Sequence, residues 1–168
     1  PMRRLSVALL LLLVGAASAL AAGVTPVTAT LDNGLRVVVI ENHASPVVAV
    51  RFYVRAGSIY EGDHLGQGMS HYLEHTLSDG TPTRTKEEID SLIESIGNDS
   101  NAYTSQDHCC YYITTAAKYW KTALDVLGDY VFNASFPPEA VDTQKGIILR
   151  EIAMTQDRLA QQQAFAEA

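Results

Sequence analysis

Residues 47–55 alternate strictly: Val48, Val50, Phe52 and Val54 fall on one side, Ala49, Arg51, Tyr53 and Arg55 on the other. Successive strand side chains point to opposite faces, so this segment predicts a half-buried strand whose apolar face needs a cover. The sequence offers helices for that role. Thr85, with Glu88 three residues on, forms a capping box ahead of the apolar stripe Ile89, Leu92, Ile93 and Ile96, and Gly97 closes the segment. Trp120, Leu124, Leu127 and Val131 recur at helical spacing and stop at Phe136-Pro137-Pro138. A last helix begins near Glu139 and still reads as helical at Ala168. Among the strands, residues 27–31 and 35–40 flank Asp32-Asn33-Gly34, a strong hairpin signal, and residues 101–115 read as one long strand. The class is α+β, a mostly antiparallel sheet covered by helices. With 168 residues there is room for one domain with a real core but not for two large ones. A chain stopping inside a helix, with few strands behind it, is expected to be incomplete at its C-terminal end.

Arg3 and Arg4, the apolar run 7–14 and the small residues 15–22 have the layout of a secretory signal peptide over residues 2–22. The run is too short for a membrane-spanning helix, so no integral span is expected after its removal, and the destination is periplasmic or secreted. The mature portion is then 23–168. The chain carries 12 basic and 19 acidic side chains, a net charge of −7, and loses Arg3 and Arg4 with the leader. No basic run survives, which argues against nucleic acid or an anionic membrane as partner. Cys109 and Cys110 are neighbours on a predicted strand and point to opposite faces. A disulfide between them is awkward, and two separately packed thiols are expected.

His71-Tyr72-Leu73-Glu74-His75 carries the chemistry. Glycines 57, 62, 66 and 68 form a loop leading into a helix expected over residues 65–78. At about 100° per residue, His71 and His75 lie about 40° apart on one face, and Glu74 about 60° to the other side of His71. Leu65, Met69, Tyr72, Leu73 and Leu77 form the opposite stripe, expected to be the buried one. Two imidazoles one turn apart suit a single metal ion, and catalytic zinc takes three protein ligands while keeping one open position. Glu151 is the best third donor, because it falls in the inward sector of its helix with Ile147, Ile148, Ile152 and Thr155. The alternatives are a salt bridge to Lys145 or Arg150, or an exposed glutamate. The short motif alone is suggestive only, since a helix with solvated histidines would also carry it.

Gly57-Ser58, Glu61, the run 68–75 and Gly80-Thr81, with 31–35 upstream and Asn101-Ala102-Tyr103-Thr104-Ser105 downstream, together resemble the pitrilysin/insulinase family, the inverzincins. Glu151 stands about seventy-five residues past His75, about where that family places its third zinc ligand. The resemblance implies a zinc peptidase, hydrolysing peptide bonds of extended peptides or small proteins through a metal-activated water. His71, His75 and Glu151 would hold Zn2+, and Glu74 would be the general base. Asn101 and Ala102 match edge-strand residues that pair with an extended peptide substrate. The fold implied is the first half of the family's catalytic domain, and a second homologous domain or subunit would close a chamber around the substrate. One departure is visible: Gln144 stands about where the family often has a further carboxylate. The alternative within the same family is a non-catalytic partner or structural subunit, although such members usually lose the metal motif.

Overall fold

The computed structural model describes residues 25–97 and 99–166, with side chains described up to residue 159 of the last helix. The leader predicted over residues 2–22 lies outside the described residues. The chain divides into two units at Ser45/Pro46. In the first, β1 (Val27–Thr30) and β2 (Arg36–Val39) pair antiparallel, Val27 opposite Val39 and Thr30 opposite Arg36. The Asp-Asn-Gly signal makes the expected turn: the Leu31 amide donates to the Leu35 carbonyl at 2.9 Å, and Gly34 takes φ +84°.

The second unit is built on a three-stranded antiparallel sheet, β3 (Val47–Val54), β5 (Cys109–Ala116) and β4 (Asp99–Thr104), in that spatial order. The alternation of β3 appears as expected, with Val48, Val50, Phe52 and Val54 on the more buried face. The single strand expected over 101–115 is two strands joined by a turn. At that turn the Ser105 amide donates to the His108 carbonyl at 2.8 Å, and the Ser105 hydroxyl oxygen accepts the His108 amide at 3.2 Å. Serine and aspartate bonding to nearby backbone is turn chemistry, and here it overrides the strand propensity on either side. Cys109 and Cys110 are both unbridged and fully buried on opposite faces of β5, as their adjacency predicts.

Helix α1 (Met69–Thr76) runs on into a 3-10 turn (Leu77–Asp79). It is shorter than expected and buries only part of the expected stripe, with Leu77 buried and Tyr72 half-buried. Gly66 and Gly68 take φ +85° and +73°, so the helix starts only at Met69. Leu65, Met69 and Leu73 are exposed, whereas Ser70, Thr76 and Leu77 are buried. Small side chains on the inner face let α1 lie close on the sheet, where the Cys109 thiol points at the Ser70 carbonyl.

Helix α2 (Lys86–Ser95) carries the predicted capping box in full: the Glu88 amide donates to Thr85 Oγ1 at 3.3 Å and the Thr85 amide to Glu88 Oε2 at 2.8 Å. Helix α3 (Trp120–Asn133) buries Ala123, Val126, Leu127 and Tyr130, while Trp120 and Leu124 of the predicted stripe are exposed. Both stripes have helical period and share Leu127. The buried stripe is the one that faces the sheet, with Gly128 lying against Phe52 of β3. Ile89, Ile113 and Leu127 are 0 % exposed, each burial stabilising the fold by about 1.5–3 kcal/mol. Helix α4 (Pro138–Ala166) completes the unit and packs on α1, where the Tyr72 hydroxyl donates to the Val141 carbonyl at 2.5 Å. No helix among the described residues is long and apolar enough to cross a membrane.

Candidate metal centre

The start of α1 is fixed by a carboxylate. Glu61 Oε1 accepts the Ser70 amide at 2.8 Å, and Ser70 Oγ accepts the Gly57 amide at 3.1 Å. The Ser70 amide is the chief reason the Glu61 carboxyl sits below its usual range; burial opposes it, and the Ser70 hydroxyl and the Gly66 and Gly68 amides add to it. At the other end Thr76 Oγ1 donates back to the Tyr72 and Leu73 carbonyls. This short, doubly fastened helix presents His71 and His75 one turn apart, rings edge to face with centroids 4.7 Å apart.

Their Nε2 atoms are 3.2 Å apart, and Glu151 Oε2 reaches in from α4 to 3.5 Å from His71 Nε2 and 3.7 Å from His75 Nε2. These are the residues among those described that are grouped to hold a metal ion. A tetrahedral zinc site, with bonds of about 2.0–2.2 Å, sets its ligand atoms about 3.3–3.6 Å apart. The observed spacings bracket that range, and two imidazoles with one carboxylate are donors zinc accepts. The salt bridge from Glu151 to Lys145 or Arg150, the alternative from sequence, is not formed among the described residues.

Glu74 lies on the same helix, half-buried, its Oε2 accepting the Thr104 hydroxyl of β4 at 2.5 Å. Glu74, His75, Asn101 and Ala102 all line a groove of about 440 Å³. A larger depression of about 520 Å³ lies over residues 79–88, but its Arg84 is already paired with Asp125 and Asp129. Of the three metal-type donors, His75 lines the smaller groove, beside Glu74. Strand β4 is the edge of its sheet, paired with β5 alone. The Ala102 amide donates to Asn101 Oδ1 at 2.8 Å, so a neighbouring side chain satisfies it.

Sequence reasoning overlooked Thr104 and Asp79. Thr104 sat inside the quoted 101–105 segment, and its place opposite Glu74 depends on the strand pairing. Asp79, 6 % exposed, receives both contacts of the Gln144 amide nitrogen, at 3.2 and 3.0 Å. Gln144 Oε1 in turn lies 3.3 Å from His75 Nδ1. His64 is exposed, at the end of a 3-10 turn (Gly62–His64). His108 is bonded to Ser105 and Asp107 in the β4–β5 turn.

An antiparallel sheet under helices, with a His-x-x-Glu-His helix facing a distant glutamate, defines an α+β peptidase-type domain. The sequence profile of the family described as "Insulinase (Peptidase family M16)" matches residues 36–167, and the chain belongs to that family. An uncharacterised zinc protease of Bacillus subtilis, YmxG, is 34% identical over 128 residues, 76% of this chain and 31% of that protein. A probable mitochondrial-processing peptidase subunit beta of Arabidopsis thaliana is 38% identical over 123 residues, 73% of this chain and 23% of the relative. The crystal structure of the periplasmic protease PqqL from Escherichia coli superposes with TM-score 0.71 at 28% identity, covering 81% of this chain and 16% of that one. The chain thus spans less than a third of the length of these relatives.

Proposed function

We propose that residues 23–168 form the metal-binding, N-terminal portion of a zinc peptidase domain that hydrolyses extended peptides or small proteins. The observation that carries this reading is the convergence of His71 Nε2, His75 Nε2 and Glu151 Oε2 at 3.2–3.7 Å from opposite helices. His71, His75 and Glu151 would hold the zinc, which would supply Lewis acidity for activating water and polarising a peptide carbonyl. Glu74 is the general base, and Thr104 fixes one of its oxygens so that the other is free to take a proton from the attacking water. An extended substrate would lie along the open edge of β4, its backbone displacing Asn101 Oδ1 from the Ala102 amide. A second homologous domain or subunit would complete the chamber, in a periplasmic or secreted setting. The names of the zinc-protease relatives and of PqqL support this reading of metal, activity and compartment.

The test is metal stoichiometry in the full-length protein. One zinc per catalytic domain is expected, lost in His71→Ala and His75→Ala and strongly weakened in Glu151→Gln but not in Glu139→Gln. Glu74→Gln should keep zinc while turnover falls by about a hundred-fold or more. Full zinc occupancy in either histidine variant would disprove the site, and near-normal activity in zinc-loaded Glu74→Gln would remove Glu74 from the reaction.

A further inference from the structure

Gln144 and Asp79 are placed where they decide which nitrogen of His75 carries a proton. An ionised carboxylate only accepts hydrogen bonds, whereas a glutamine amide has one donating and one accepting end. Asp79 is buried in the 3-10 turn after α1, and both its oxygens lie within 3.2 Å of Gln144 Nε2. That contact orients the amide, because turning it over would set two acceptors against each other. Its accepting end, Oε1, then faces His75 Nδ1 at 3.3 Å, and only a protonated Nδ1 can bond to it. In the neutral ring His75 Nε2 is then a lone pair, 3.2 Å from His71 Nε2 and 3.7 Å from Glu151 Oε2. Two Nε2 atoms 3.2 Å apart hold a hydrogen bond only when one of them carries the proton. With His75 protonated at Nδ1, that proton belongs to His71.

We infer that Gln144 is a positioning residue whose polarity is set by Asp79, and that the pair holds His75 as the Nδ1-protonated tautomer with Nε2 presented to a metal. The inference rests on the zinc reading of His71, His75 and Glu151. Outer partners of metal-bound histidines fix tautomer and ring orientation, and their loss typically costs about 10- to 100-fold in metal affinity. A neutral amide can fill this role only with a fixed polarity, which the buried carboxylate behind it provides.

The tautomer is read directly by 15N spectra of ring-labelled histidine in the zinc-free full-length protein, at about pH 8.5, above the ordinary histidine range. His75 is expected with a protonated Nδ1 and a bare Nε2, and His71 with a protonated Nε2. Zinc affinity is measured in parallel by chelator competition. Asp79→Asn removes the purely accepting partner. It should mix the His75 tautomers and weaken zinc by about 10- to 100-fold. Gln144→Glu alone sets two carboxylates together and should weaken zinc similarly. The exchanged pair Asp79→Asn/Gln144→Glu restores a donor facing an acceptor, and should recover both the tautomer and most of the affinity, which a packing role would not. A wild-type His75 protonated at Nε2 overturns the inference, as does an exchanged pair no better than Gln144→Glu. Wild-type protein with the expected tautomer but no zinc would instead overturn the metal reading alone.

Discussion

Thr104→Val replaces a hydroxyl with a methyl at nearly constant shape, and removes the one side-chain bond that β4 makes to Glu74. That bond is 2.5 Å long and runs from a neutral donor to a carboxylate. Bonds to charged groups contribute about 1.5–3 kcal/mol. Glu74 is half-buried and lines an open groove, so water replaces the lost hydroxyl in part and the lower end applies. About 1.5 kcal/mol corresponds to roughly a twelve-fold loss in rate if it falls on the transition state alone. The loss should appear in kcat with little change in KM, because the Thr104 side chain bonds the proposed base, whereas substrate would pair with the β4 backbone, which the substitution leaves intact. Zinc affinity, measured by chelator competition, should stay within about two-fold, and Thr104→Ser should recover most of the rate. In a Glu74→Gln background the substitution should cost almost nothing, since its target is gone. A Thr104→Val protein with kcat within about two-fold of wild type, or a full twelve-fold loss persisting in Glu74→Gln, would refute this role for Thr104.

Two further outcomes concern the scaffold beneath the motif. A Cβ on Gly57, where φ is +129°, would lie 2.6 Å from the Gln106 carbonyl oxygen and 2.7 Å from that of Ser105. Gly57→Ala should therefore destabilise the protein by about 3 kcal/mol or more in denaturant unfolding, combining backbone strain with overpacking, and a loss under about 1 kcal/mol would contradict the contact. Glu61 has its folded-state carboxyl held low, so its contribution is complete above the unfolded value near pH 4.3 and is lost as pH falls through the lower folded value. The stability gap between zinc-free wild type and Glu61→Gln should be clear at about pH 7 and shrink towards about pH 3; a gap that is flat or widens on acidification would disprove the linkage.

The features legible in the sequence are those whose cause is local. The alternation of β3, the Asp-Asn-Gly turn and the Thr85/Glu88 box each need only a few adjacent residues, and all three appear in the structure. The misreadings lie where a local pattern has two solutions. Residues 101–115 are strand-like throughout, and only Ser105, whose hydroxyl oxygen accepts the Asp107 and His108 amides, and Asp107, whose carboxylate accepts the Ser105 hydroxyl, mark where the chain reverses. Helix α3 has two apolar stripes, and the choice between them depends on which side faces the sheet, which periodicity cannot express. In α1 the expected apolar stripe is buried only at Leu77, and the small side chains of Ser70 and Thr76 take the rest of the burial.

The same distinction explains what was readable at the site. The spacing of His71 and His75 is a property of one helix, and Glu151 could be singled out from its own helix, although of the expected inward sector Ile147 and Ile148 turn inward while Ile152 and Thr155 are exposed. Which groups stand behind the histidines depends on how α4 docks against the turn after α1, and no single-helix pattern encodes that. Gln144 was visible only as a departure, an amide about where the family often carries a carboxylate. The structure supplies the missing half, for Asp79 brings the negative charge one bond further out, behind the amide. Glu74 and Glu151 already put two carboxyl groups in and beside the site, and a third directly on His75 would add to their mutual repulsion when zinc is absent. Moving that charge behind a neutral amide keeps the hydrogen-bond polarity His75 needs while setting the anion further from the ligand atoms. On this argument Gln144 and Asp79 act as a unit, and a substitution at either is best judged with its partner in view.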